Sequence, residues 1–268
     1  MNRRFWNLVP MASLATGSAL FALLGSTPPT ELVPERAFCV PSRAHWLGCG
    51  DAGVDVLAVA SHAELRGLAL AGIVALIGWT IGTPLGALCA YRGGWPDRVL
   101  SRTCDLLQAF PTFLLAITTL AAVQRPSRVH VGIVFAFLAW IPFARLALTE
   151  ARVLRTMLYV DAARALGAST PAIILRHFIP ALSRTTAVQL GSSAAALVVS
   201  EAALAFVGFG PRDGVSLGSL IEQGVFSMLR APHVLVLSAT LLFVTNASLL
   251  IAGRALGAGR SEGFPGTF

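Results

Sequence analysis

Apolar residues fall in long runs separated by short stretches rich in polar residues, proline and glycine, and this alternation extends along nearly the whole chain. Six runs, at about 5–25, 68–90, 106–123, 129–148, 186–208 and 234–252, each come close to the roughly 20 residues with which a helix crosses hydrocarbon. The pattern predicts an all-α polytopic membrane protein with about six transmembrane helices. Pro111 and Pro142 lie inside the third and fourth runs, where they predict kinks or places where neighbouring helices satisfy freed backbone groups.

One polar interval is unlike the others. Residues 150–180 are helix-prone and amphipathic, with Arg152, Arg155, Arg164, Arg176 and Arg184 in or beside them. Such charges cost about 2.5–3.5 kcal/mol each at the bilayer centre, so the interval belongs at the membrane surface. Glu150 to Leu166 reads as helix, and Gly167 suits the left-handed residue that ends one. Thr170-Pro171 reads as an N-cap followed by proline at the first helical position, and Pro180 is expected to close a second, shorter helix. On physical grounds alone this helix–bend–helix is equally compatible with a plain cytoplasmic connector.

Composition sharpens the picture. Of 268 residues, 55% are hydrophobic and only 12% charged, against about 25% charged in soluble domains. All 20 basic residues are arginine, so the lysine of a phosphate-binding Gly-x-x-x-x-Gly-Lys-Ser/Thr loop is absent. If ATP drives this protein, another chain must supply the engine. The net charge of +7 does not point to nucleic acid, because the arginines cluster at the ends of apolar runs and not in a basic domain with stacking aromatics.

Arginine placement also sets an orientation. With the N-terminus in the cytoplasm, 13 of the 20 arginines lie on the cytoplasmic side, although Arg125 and Arg128 run against the bias. The expected organisation is then an N-terminal transmembrane helix over 1–25, an external segment over 26–66, a permeating domain over 67–252 and a cytoplasmic tail over 253–268. Arg3-Arg4 ahead of an apolar run, with small residues near Gly25-Ser26, also fits a signal peptide; the length of the run, with Asn7 and Pro10 inside it, favours a retained helix.

The external segment holds Cys39 and Cys49, which form a disulfide in an oxidising compartment or, with His45, contribute to a metal site. Cys89 and Cys104 belong to the opposite face and are expected to stay reduced. Gly48-Cys49-Gly50-Asp51-Ala52-Gly53 matches Gly-x-Gly-x-x-Gly only formally, since no strand–turn–helix unit surrounds it, and reads as a turn before the second span.

No catalytic set is visible: there is no His-Glu-x-x-His helix, and Ser192-Ser193 has no histidine at a matching depth, so the chain does not read as an enzyme. Asp105 and Glu201 are ionisable residues in or beside spans, the usual marks of a translocation path or gate. A boundary charge at Asp105 and a structural hydrogen bond at Glu201 are the competing readings. A proton-coupled secondary transporter using these carboxylates is the alternative to an ATP-driven one.

Asp161-Ala162-Ala163, three residues, Gly167, nine residues, then His177-Phe178-Ile179-Pro180 resembles the Glu-Ala-Ala loop of permease subunits in ATP-binding-cassette importers. His45-Trp46-Leu47-Gly48, Gly53-Val54-Asp55-Val56-Leu57, Asp105-Leu106-Leu107-Gln108-Ala109-Phe110-Pro111 and Glu201-Ala202-Ala203-Leu204 narrow the likeness to dipeptide, oligopeptide and nickel permeases, over about residues 45–233. The resemblance implies an inner-membrane subunit that pairs with a second homologous permease, receives cargo from an external solute-binding protein, and binds no cofactor itself. It also implies ATP and Mg2+ held by separate ABC ATPase subunits, with Asp161 contacting an ATPase arginine, Ala162 and Ala163 permitting close approach, Gly167 setting the bend and Pro180 ending the loop. Val54, Gly50 and Leu217 depart from the family pattern at positions usually arginine, aspartate and tryptophan, and Asp161 is one methylene shorter than the usual glutamate.

Overall fold

Glycines four residues apart put backbone against backbone at the centre of this molecule. In the computed structural model, Gly78, Gly82 and Gly86 line one face of α2 (Val56–Arg92) and meet Ala139, Trp140 and Ala144 of α5 (Arg128–Leu154). A Cβ on Gly78 would stand 2.5 Å from the Ala139 carbonyl oxygen, and one on Gly82 or Gly86 would collide with the carbonyls of Trp140 and Ala144. Lipid offers no hydrophobic drive between helices, so such small-residue stripes give the close van der Waals contact that holds them together. This is the most extensive helix pairing in the structure.

The structure describes residues 3–24, 33–43, 45–123, 126–211 and 216–258, with backbone only at 3–8, 10, 14, 22–24 and 52. The small residues near Gly25-Ser26, Arg125, and the tail from 259 onward including Arg260 lie outside the described residues.

Helix α1 (Arg3–Leu24) packs on α2 and on α10 (Pro232–Ala258). Two short helices follow α2: α3 (Gly94–Ala109) and α4 (Thr112–Ala121), which meet at 72°. Pro111 sets that break, since the residue before a proline avoids helical geometry and Phe110 is extended at φ −90° and ψ 129°. Pro142, by contrast, leaves α5 helical throughout.

After α5 come α6 (Leu158–Ala165), α7 (Thr170–Ile173), a π turn (Ile174–Phe178) and α8 (Ile179–Phe206). Gly191 of α8 abuts Gly253 of α10, and the Asn246 amide donates to the Ala195 carbonyl at 3.0 Å. Finally α9 (Leu217–Phe226) lies on α8, with Gly218 against Ala202. Among the described residues there is no β-strand, and four helices are long and apolar enough to cross a membrane, five if α3 and α4 form one bent span. With α1, which is 22 residues long, this matches the all-α polytopic reading.

Four expectations need correcting. The helix expected from about 68 begins at Val56, so residues 56–66 are helical and continuous with that span. Asp55 caps it, accepting from the Leu57 and Ala58 amides at 2.9 and 3.1 Å, an arrangement worth about 1 kcal/mol. The helix expected from Glu150 to Leu166 is interrupted at 155–157, between α5 and α6. The N-cap of α7 is Ser169, one residue before Thr170, which places Pro171 one residue later in the first turn. Pro180 closes nothing: Thr170–Phe206 runs on as one helical length. A proline in a regular helix clashes with the carbonyl four residues back, here Arg176, and the wider π turn over Ile174–Phe178 relieves that crowding.

Ahead of α2, Cys39 and Cys49 are joined by a disulfide, with Cα atoms 4.8 Å apart. His45 pairs through Nδ1 with Asp55 at 2.8 Å, so it orients the α2 cap, and no group of His, Cys, Asp or Glu able to hold a metal occurs among the described residues. The glycine-rich stretch is a turn, as expected: a short 3-10 turn at Asp51–Gly53 beside a Cys49–Asp55 bridge. Cys89 and Cys104 are free thiols.

Candidate functional site

The interval 150–180 folds into a lever whose inner side is packed and whose outer side is bare. Val160, Ile173, Ile174 and Phe178 are buried in one cluster with Ala87 and Ala90 of α2, Leu100 and Cys104 of α3, and Leu148 and Ala151 of α5. Their spacing puts one apolar face of α6 and of the α7–π segment against the ends of the spanning helices. On the opposite side Leu158 is 86% and Leu166 88% exposed, an unusual load of apolar surface for so short and charged an element.

Polar ties hold the lever in register. Arg164 lies over the Tyr91 ring, 5.2 Å from its centroid, and its Nε donates to the Tyr91 hydroxyl at 3.4 Å. That hydroxyl and the Asp161 carboxylate beyond it hold the guanidinium above its usual pKa. Tyr91 in turn meets Phe178 edge-on at 5.7 Å. Arg155 donates to the Ala90 carbonyl at 3.2 Å, Arg152 pairs with Asp97 of α3 at 3.0 Å, and Thr185 of α8 donates to Glu150 at 2.7 Å. Tyr159 is tilted against His177 at 5.9 Å, and burial pushes its phenol up.

Within this lever the residues singled out from sequence fall in distinct places. Asp161 is exposed and its one recorded partner is Arg164 at 3.4 Å, so its carboxylate is available to another molecule. Ala162 is exposed beside it, whereas Ala163 is half-buried against the protein's own core. Gly167 has φ +82°, the left-handed residue that ends α6, and the Ala168 amide reaches back to the Ala163 carbonyl at 3.0 Å. Pro180 sits in the first turn of α8, past the π turn and away from the bend.

Asp105 and Glu201 do not share a site. Asp105 pairs with Arg145 of α5, both side chains about half exposed, as a boundary charge does. Glu201 is buried on α8 facing Gly67 of α2, where an added Cβ would stand 3.4 Å from its Oε2. One functional candidate was missed altogether: Glu64, 1% exposed, accepts from Ser18 of α1 at 2.7 Å and from Thr245 of α10 at 3.2 Å. It lies one helical turn from Gly67, so two buried carboxylates face the same region of α2. Glu64 also borders a largely apolar cavity of about 370 Å³, lined by Ser18, Phe21, Ser61, Leu220 and Leu241.

Comparison with known proteins matches residues 82–259 to the family described as "Binding-protein-dependent transport system inner membrane component". The chain is 31% identical to the oligopeptide transport system permease protein OppC of Mycobacterium tuberculosis, over 95% of this chain and 90% of that one. It is 32% identical to the glutathione transport system permease protein GsiD of Pectobacterium atrosepticum, over 81% of this chain and 72% of that one.

Proposed function

Because the chain belongs to the family of binding-protein-dependent transport system inner membrane components, we propose that residues 150–180 are the element through which this permease subunit of an ATP-binding-cassette importer is driven. It is a multi-pass membrane protein, and its relatives give the proton-coupled alternative no support. The observation that carries the assignment is the contrast between the two sides of the lever: Val160 and Phe178 fully buried, Leu158, Asp161 and Leu166 bare.

The lever lies in the cytoplasm, with the N-terminus on the same side, and docks on an ATPase subunit that holds ATP and Mg2+. Leu158 and Leu166 enter an apolar cleft there, and Asp161 meets a cation of the ATPase. A second permease subunit and an external solute-binding protein complete the importer. The cargo is a peptide or a similar small solute, in keeping with the oligopeptide and glutathione systems named for the relatives. Helix α1 stays in place, a reading supported by the Ser18 bond to Glu64. Nucleotide-driven closure of the ATPases then moves the lever, and the ties through Tyr91, Arg155 and Glu150 carry that motion into α2, α5 and α8.

Asp161→Lys and Gly167→Pro test this. Both are expected to leave the chain inserted and assembled while uptake falls and ATP hydrolysis no longer responds to cargo. Uptake at the unmodified level in both variants removes the assignment.

A further inference from the structure

Tyr91, Arg92, Gly94, Arg155 and Arg164 line a depression of about 440 Å³ between the end of α2, the start of α3 and the lever. Its guanidiniums come from three separate elements. The nearby carboxylates are already engaged, Asp97 with Arg152 at 3.0 Å and Asp161 with Arg164 at 3.4 Å. Arg155 donates to a backbone carbonyl, and the Arg92 side chain makes no hydrogen bond or ion pair among the described residues. The depression therefore carries net positive charge, with Asp161 offsetting only Arg164 and Asp97, in the first turn of α3, turned to Arg152.

Beside it, α3 presents Trp95, Val99 and Leu106 to the exterior, all exposed, and Phe110, the residue just past its end, is exposed as well. Steps of four and seven residues set the first three on one face of the helix. An exposed tryptophan at the rim of a basic pocket is the composition of a membrane interface, and basic pockets between spanning helices take anionic headgroups. We propose that this depression is a site for an anionic phospholipid, its phosphate held by Arg92, Arg155 and Arg164 and its acyl chains lying along the Trp95–Leu106 face. Free phosphate shares the headgroup chemistry and leaves that apolar face uncovered; a carboxylate from a partner protein does the same.

Native mass spectrometry of the full chain, released from bilayers holding equal phosphatidylglycerol and phosphatidylcholine, tests the site. Phosphatidylglycerol is expected to be retained preferentially, and Arg92→Gln to reduce the retained lipid about fivefold, the factor equivalent to roughly 1 kcal/mol per basic residue at an anionic surface. Arg92→Lys is expected to keep most of it, and Arg98→Gln, outside the depression, all of it. Equal retention of the two lipids overturns the proposal, as does wild-type retention by Arg92→Gln. Displacement of the lipid by inorganic phosphate alone assigns the site to a soluble anion and also overturns it.

Discussion

The guanidinium of Arg164 rests over the ring of Tyr91, 5.2 Å from its centroid, and so fastens α6 to the last turn of α2. The same ring meets Phe178 edge-on at 5.7 Å, so Tyr91 is held from both halves of the lever. Its edge contact with Phe178 is worth about 0.5–1.5 kcal/mol beyond burial. Tyr91→Ala is expected to lower cargo-dependent uptake by about fivefold, the equivalent of roughly 1 kcal/mol, while Tyr91→Phe keeps the ring and most of the activity. Uptake assays in vesicles containing equal amounts of the two variants decide this.

The α2–α5 seam predicts a sharp contrast between two glycines of one helix. A side chain at Gly82 collides with the Trp140 carbonyl and the Phe143 Cβ, whereas Gly72 faces open space. Gly82→Leu is expected to destabilise the fold by about 1–3 kcal/mol or more and to reduce accumulation in the membrane. Gly72→Leu is expected to change neither, as thermal unfolding in detergent will report.

Glu64 ties three helices through two hydroxyls. Hydrogen bonds between membrane helices are worth about 0.6 kcal/mol on average and up to about 1.7. Glu64→Leu loses both bonds and is expected to lower stability by about 1 kcal/mol, whereas Glu64→Gln retains an acceptor for one and stays within about half of that loss. Equal unfolding midpoints for Glu64→Leu and the unmodified chain would show that the contacts with Ser18 and Thr245 carry no weight.

Thiol accessibility reads the orientation directly. With the N-terminus in the cytoplasm, a membrane-impermeant maleimide added from outside is expected to label the Cys39–Cys49 pair only after reduction, the part-exposed Cys39 ahead of the buried Cys49. Cys89, which is part-exposed, should label only when the membrane is opened, and the buried Cys104 only once the fold is opened as well. Labelling of Cys39 and Cys49 from the cytoplasmic side would invert the topology and with it the proposed placement of the lever.

What the sequence disclosed and what it hid divide along the reach of each interaction. Asp161 stood out only through the resemblance of Asp161-Ala162-Ala163 to the Glu-Ala-Ala loop, whereas Gly167 was legible as the end of α6 because its left-handed backbone is a local demand. Pro180 was misread for the same reason: the local rule stops a helix at proline, but the π turn just before it is built on Phe178 and Leu182 packing into the core. Glu64 was hidden twice. Hydropathy started the second span four residues after it, and its partners lie 46 and 181 positions away in the chain. Cys39 and Cys49 are compatible in sequence with either a bridge or a metal site, and the choice between them rests on their spatial approach and on the distant partner of His45, Asp55.

The carbonyls of Trp140 and Ala144 fill the notches left by the α2 glycines, so these two rods are in effect one beam. On the proposed function, a pull on the lever shifts the beam whole, and cargo passes along its flank against a wall supplied by the neighbouring permease.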